Sequence, residues 1–240
     1  MRHVLLATTL SLVFASTTAI AEPLKPFFAS YTADFTQLPF SGTAERSLTK
    51  EGNNWKLNFN AAMMLASLTE KSTFEQKSST FVPLSYRYER SGLGSSKVVK
   101  QNFDWQAKRA TGIDRKKEIN VTLPSGTLDK STYQIALQED VAAGKTSMSY
   151  NVLDGDDLEV YDFRVLGSET VTTKVGKVEA IKVERVREPD QSQRKTSMWF
   201  AKDKGWDYIL VQLVQVEKDG KEYQIVLQEG TVDGKKLKGQ

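Results

Sequence analysis

The 240-residue chain contains no cysteine and one histidine, His3. The first absence excludes disulfide staples, thiol nucleophiles and cysteine-ligated zinc. The second leaves a triad or a histidine metal site only one imidazole, and that one sits at the extreme N-terminus. Long apolar runs are missing too. Past the first residues nothing approaches the roughly 18 consecutive apolar residues that a membrane-spanning helix needs. No field of one charge exists either: 33 Lys and Arg are interspersed with 30 Asp and Glu, so no surface for nucleic acid stands out.

What is present begins with a leader. MRHVLLATTLSLVFASTTAIA has a basic start at Arg2, an apolar run from Val4 to Phe14, and small residues at Ala19 and Ala21 spaced as a signal-peptidase site. The expectation is residues 1–21 as signal peptide and 22–240 as one β-rich domain, exported and not integral to a membrane. His3 leaves with the leader, so the mature chain has neither His nor Cys. Its 219 residues are enough to bury about 70% of the unfolded surface without disulfides.

Period-two alternation dominates the mature chain. Tyr31, Ala33 and Phe35 share one face, as do Trp55, Leu57, Phe59, Ala61 and Met63, and the alternation is carried on extended through Ala62–Leu68. Pro83 before Leu84, Tyr86 and Tyr88 marks a strand start or an edge. From Tyr161 to Val186 the chain reads as strand, turn at Gly167-Ser168, strand, turn at Gly176, strand. Tyr208–Val216 is apolar on both faces, as in a central strand, and Asp219-Gly220 is a hairpin turn. One helix is expected, over Lys130–Ala143, with a capping box in Ser131-Thr-Tyr-Gln134 and Tyr133, Ala136, Leu137 and Val141 near one face. About a dozen strands and one helix give an all-β fold: a strongly curved antiparallel sheet, half-barrel or near-closed barrel, with the helix packed on the concave side.

Motifs for chemistry are few. Ser47-Leu-Thr-Lys50 has a Ser-x-x-Lys spacing but lies on a strand, where the two side chains are not one helical turn apart. Gly92-Leu-Gly94 lacks the third glycine and the following helix of a dinucleotide loop. Asp154, Asp156, Asp157 and Glu159 crowd one glycine without the spacing of a calcium loop, and read as a solvated turn. Arg185, Arg187, Arg194 and Lys195 flank a polar loop as strand-edge charges. No catalytic residue, metal ligand or cofactor site is assigned. The candidate ligand-binding set is aromatic: Trp199 and Trp206 first, then Trp105, Phe103, Tyr161 and Phe163, with a β-domain core as the bland alternative.

The runs YTADF, SGTAERSL, LTEKSTF, FVPLSYRY and NFDW, then LDKSTYQIALQEDVAAGK, VYDFRVLGSETVTTKVGKVEAIKVER and RKTSMWFAKD, together resemble the proteobacterial exported proteins of the family called domain of unknown function 3108. The resemblance spans essentially the whole mature chain; relatives carry a proline after the last Trp-Asp pair, where this chain has Tyr208. It implies a periplasmic location and a curved sheet similar to the half-barrels of lipoprotein carriers, with no catalytic residues to carry over. Three functions stand as expectations. The first is a non-enzymatic binding module holding a lipid or other amphipathic envelope molecule. The second is an assembly partner of an envelope protein through a sheet edge, and the third a carboxylate-based hydrolase of glycan or peptidoglycan.

Overall fold

The structure, a computed structural model, describes residues 23–36, 41–64, 66–92, 96–187 and 193–240. The expected signal peptide and Gly94 lie outside the described residues. Among those described, strand follows strand: β1 (Phe27–Phe35), β2 (Gly42–Glu51), β3 (Asn54–Met63), β4 (Ala66–Lys77), β5 (Thr80–Gly92), β6 (Lys97–Asp104), β7 (Arg109–Asp114), β8 (Lys117–Thr122) and β9 (Leu128–Asp129). The helix α1 (Thr132–Ala142) interrupts. Then come β10 (Ser147–Asp154), β11 (Asp157–Thr173), β12 (Gly176–Val186), β13 (Lys195–Ala201), β14 (Leu210–Val216), β15 (Glu222–Val232) and β16 (Lys235–Lys236).

All sixteen strands form one sheet, ordered β8-β7-β6-β5-β4-β3-β2-β1-β15-β14-β13-β12-β11-β10-β9, with β16 beside β15. Neighbours are antiparallel except β9 and β10, which run parallel. β1 and β15, the first and the last but one of the described strands, pair at the middle of the sheet. The sheet is curved, because strands far apart in this order touch. Ser72 on β4 donates to Asp129 on β9 (2.6 Å), and Gln101 on β6 donates to the carbonyls of Leu153 (3.3 Å) and Gly155 (2.8 Å) at the β10–β11 turn. No ladder joins β8 to β9, so the barrel stays unclosed. Side chains close it instead: Leu153 joins one buried cluster with Tyr86, Val99, Phe103 and Ile119 of β5, β6 and β8.

Local differences from the sequence expectation have physical causes. Gly167-Ser168 is no turn: β11 runs through it as one 17-residue strand, with a bulge against β12 between Val165 and Gly167. A glycine beside a serine marks either feature, and a bulge keeps the ladder. Ala62–Leu68 does not stay extended, since the chain reverses between Met63 and Ala66. Pro83 lies inside β5, where the register with β4 shifts and where β6, which pairs only from Ser85 onward, no longer asks for an N–H. β14 sits between β13 and β15, the interior position its doubly apolar pattern demands.

α1 lies on the concave side, enclosed on nearly every face. Thr132, Tyr133, Ile135, Ala136, Leu137, Gln138 and Val141 are all buried, so it is a plug and not a one-sided cover. The expected capping box is absent, for Ser131 makes no side-chain cap bond. Asp129 does the work from two residues earlier: Oδ1 accepts from the amides of Ser131 (2.7 Å) and Thr132 (2.8 Å), and Oδ2 from the hydroxyls of Thr132 (2.7 Å) and Ser72 (2.6 Å). One carboxylate thus satisfies the helix N-terminus and ties it to β4.

Candidate functional site

The six aromatic residues singled out from sequence do not converge on one hollow. Phe103 and Trp105 stack at 6.2 Å in the smaller core cluster, and Trp105 Nε1 donates to the Pro83 carbonyl (2.6 Å). Tyr161 and Phe163 pack on α1, with Tyr133 5.2 Å from Tyr161 and 5.7 Å from Phe163. Trp199 projects from the face opposite to Met198; the Lys182 ammonium lies 4.8 Å from its ring centroid and its Nε1 donates to Glu169 (2.5 Å). Trp206 ends a 3₁₀ turn, Lys204–Trp206, opened by Asp203. Both tryptophans are under 9% exposed. All six pack as core or cover.

The concave face carries a different arrangement, legible row by row from the strand register. Side chains paired across the ladder share a face, and the next row inward on that face lies two residues along. Starting from the rim, one row runs Leu213, Ile225, Ala33, Gly42, Met63, Ala66. The next includes Leu227, Tyr31, Ala44, Ala61 and Leu68, and the third Ala29, Arg46, Phe59, Glu70 and Tyr88. The fourth includes Leu48, Leu57, Ser72, Tyr86 and Gln101, level with the helix N-terminus. The fourth row is buried throughout, whereas Ala33, Ile225, Leu213, Met63, Ala61, Leu68 and Phe59 in the outer three are only half-buried. An apolar lane therefore runs from the rim to the third row. At its mouth a groove of about 600 Å³ takes in Gly42, Met63 and Ala66 of this face and laps over the rim onto Thr43, Ala62, Ser67 and Ser91.

Arg46 stands at the inner end of that lane. It is 2% exposed, and neither Nη1 nor Nη2 has a hydrogen-bond partner among the described residues. Its guanidinium carbon lies 5.2 Å from the Phe27 ring centroid. Burial pushes its pKa below the ordinary value, against the pull of Tyr31, Tyr133 and Glu70. The same burial pushes Tyr31 and Tyr133 up to about 12. Glu70, the nearest carboxylate in the row, sits two strands away beyond Phe59 and accepts from the Tyr86 hydroxyl (2.6 Å). Part of the Glu70 side chain is exposed, but its carboxyl is enclosed, and desolvation raises its pKa.

The family model described as "Protein of unknown function (DUF3108)" matches residues 30–228. The chain belongs to the DUF3108 family. Among curated proteins none matches it. The crystal structure of a beta-barrel-like protein of domain of unknown function DUF1849 from Brucella abortus is similar in fold, with a TM-score of 0.57 at 12% identity over 89% of this chain and 99% of that one. A putative lipoprotein from Parabacteroides distasonis ATCC 8503 aligns with a TM-score of 0.32 at 11% identity, over 86% of this chain and 95% of that one.

The remaining polar groups of this DUF3108 chain are largely spoken for. Asp154 accepts from Lys130 (2.7 Å) and Tyr161 (2.9 Å), and the Lys130 charge holds its carboxyl below the usual range against burial. Asp156 pairs with Lys117 and Glu159 with Arg185 (3.2 Å), so the acidic turn is dispersed among cations; among the described residues no group of three or more potential ligands could hold a metal ion. On the far wall Arg185 lies over Tyr161, 3.3 Å from its centroid, with its Nε unpartnered. Arg187, which donates to the Arg194 carbonyl (3.1 Å) and Thr196 (3.3 Å), is lowered to about 10 by burial and by the neighbouring arginines. Sequence reasoning missed Arg46 and Glu70, although alternation along β2 places Arg46 with Gly42, Ala44 and Leu48.

Proposed function

We propose that this DUF3108 protein is a non-enzymatic periplasmic binding module that holds a lipidic or otherwise amphipathic envelope molecule in the lane of its concave face. One observation carries the reading: within the outer three rows of that face Ala33, Leu213, Ile225, Met63, Ala61, Leu68 and Phe59 are apolar yet only half-buried, while the fourth row, level with the start of α1, is closed. A ligand there would bury aliphatic surface at roughly 25 cal/mol per Å². The leader over residues 1–21 supports export, and the hydrogen bonds that commit Glu70, Asp129 and Asp154 within the fold favour binding over hydrolysis. Native mass spectrometry of the protein purified gently from cell envelopes tests it. A small-molecule adduct that is lost on delipidation and regained with an acyl probe is expected. A protein that carries no adduct and takes up no acyl probe overturns it.

A second reading, an assembly partner of an envelope protein, is favoured by the convex side. Leu158, Val160 and Val186 are exposed there on β11 and β12, with Val160 at 57%, and β8 is left as an edge at the end of the sheet. In-cell crosslinking from position 160 is expected to capture a protein neighbour, and its failure to do so removes this reading.

A further inference from the structure

Arg46 is a buried charge whose Nη1 and Nη2 have no hydrogen-bond partner among the described residues. A buried guanidinium without a hydrogen-bonded carboxylate is costly, and natural interiors pair such groups or give them a ligand. Here the half-exposed Phe59 is its direct partner across the β2–β3 ladder, and Glu70 is one strand further. The lane thus ends at a guanidinium whose Nη1 and Nη2 have no hydrogen-bond partner within the fold's described residues, with the Tyr31 hydroxyl and, further off, Glu70 near enough to act on its charge.

We propose that Arg46 is the headgroup anchor of this site and that its ligand is an anionic single-chain amphiphile, with a carboxylate or phosphate head seated on the guanidinium beside Phe59 and the chain lying outward along the lane to the groove at Met63. The inference rests on the binding reading above and names its ligand class. A planar guanidinium accepts either head bidentately, and the low-dielectric surroundings make the preference for an anion strong.

The experiment is displacement of a fluorescent acyl probe from the mature chain by palmitate, by lysophosphatidate and by the neutral monopalmitoylglycerol. The two anions are expected to bind roughly tenfold or more tighter than the neutral lipid, the worth of a charge-assisted hydrogen bond. Whichever anion prevails identifies the head. In Arg46→Met the preference is expected to vanish while the unliganded melting temperature holds or rises, because the desolvation of a buried charge is relieved and only the contacts to Phe27 and Tyr31 are lost. Phe59→Glu, which supplies the missing carboxylate from the adjacent strand, is expected to abolish the anion preference independently, which guards against a poorly folding Arg46 variant. Equal binding of all three lipids with no effect of either substitution overturns the anchor and leaves the amphiphile reading standing. Binding of none overturns both.

Discussion

Replacing Asp129 is the sharpest probe of how the plug is held. In Asp129→Ala the buried amides of Ser131 and Thr132 lose their acceptor, while of the hydroxyls of Ser72 and Thr132, 2.9 Å apart, one can still donate to the other. Hydrogen bonds to a charged group contribute about 1.5–3 kcal/mol each, and two orphaned amides cost a similar amount each. Against this, removing a carboxylate whose pKa burial raises returns part of the desolvation penalty. The net cost is about 3 kcal/mol, a large share of the 5–15 kcal/mol typical of a domain. At about 2–4 °C per kcal/mol for a chain of this size, the melting temperature should fall by roughly 6–12 °C. Asp129→Asn keeps an oxygen for both amides and presents an NH₂ to the two hydroxyls, so it should cost only about 1 kcal/mol. Urea and thermal melts of the mature protein, followed by circular dichroism, measure both. An alanine variant within about 1 kcal/mol of wild type would refute the cap. An asparagine variant as damaging as alanine would show that charge, and not acceptor geometry, holds the helix.

Glu70→Gln should flatten the stability profile at mildly acidic pH: the folded-state pKa of Glu70 is raised by desolvation, so the native state binds the extra proton and wild-type stability falls as pH rises from about 4.3 through the folded value. Denaturant midpoints across that range check it, and a profile unchanged by the substitution would contradict the burial of the carboxyl. Gly112→Ala should cost about 3 kcal/mol or more and loosen β6–β8, because its Cβ would meet the Lys100 carbonyl oxygen at 1.8 Å, whereas Gly52→Ala, with nothing within 4 Å, should cost about 1 kcal/mol from its left-handed backbone alone. Thermal melts separate the two. Secretion in a Gram-negative host should yield a chain beginning at Glu22, read by intact mass.

Alternation made the strands legible because a sheet with one closed and one wet face imposes period two on nearly every segment. It failed where both faces are covered. In TSMWFA of β13, Met198, Trp199, Phe200 and Ala201 are all buried, so no pattern says which side holds Trp199, and counting aromatics placed it in a pocket. The helix was legible from length and composition, but its enclosure was not: Ile135 and Gln138 are buried off the stripe that Tyr133, Ala136, Leu137 and Val141 form. Its cap was hidden for a related reason. Asp129 acts through backbone geometry and through Ser72, 57 residues away, and no local spacing encodes that. Arg46 was the opposite case, since an arginine in phase with Gly42, Ala44 and Leu48 on one strand is a buried charge in plain view.

The open lane follows from the lengths of the parts. An 11-residue helix is about 16 Å long, while β1 to β5, of 9 to 13 residues, run about 30–43 Å. One helix can therefore close about half of the concave face, and nothing else in the described chain crosses the rest. A closed barrel of sixteen strands would enclose a lumen far wider than one helix fills. Curling the sheet without joining its edges lets the β10–β11 tip tuck under β5–β8, where Gln101 and Leu153 seal the small end. That arrangement spends the plug and the seal on one half of the interior. The other half keeps the half-buried apolar side chains and Arg46, and the proposed anionic ligand would account for an arginine at a buried position where methionine would cost no desolvation of charge.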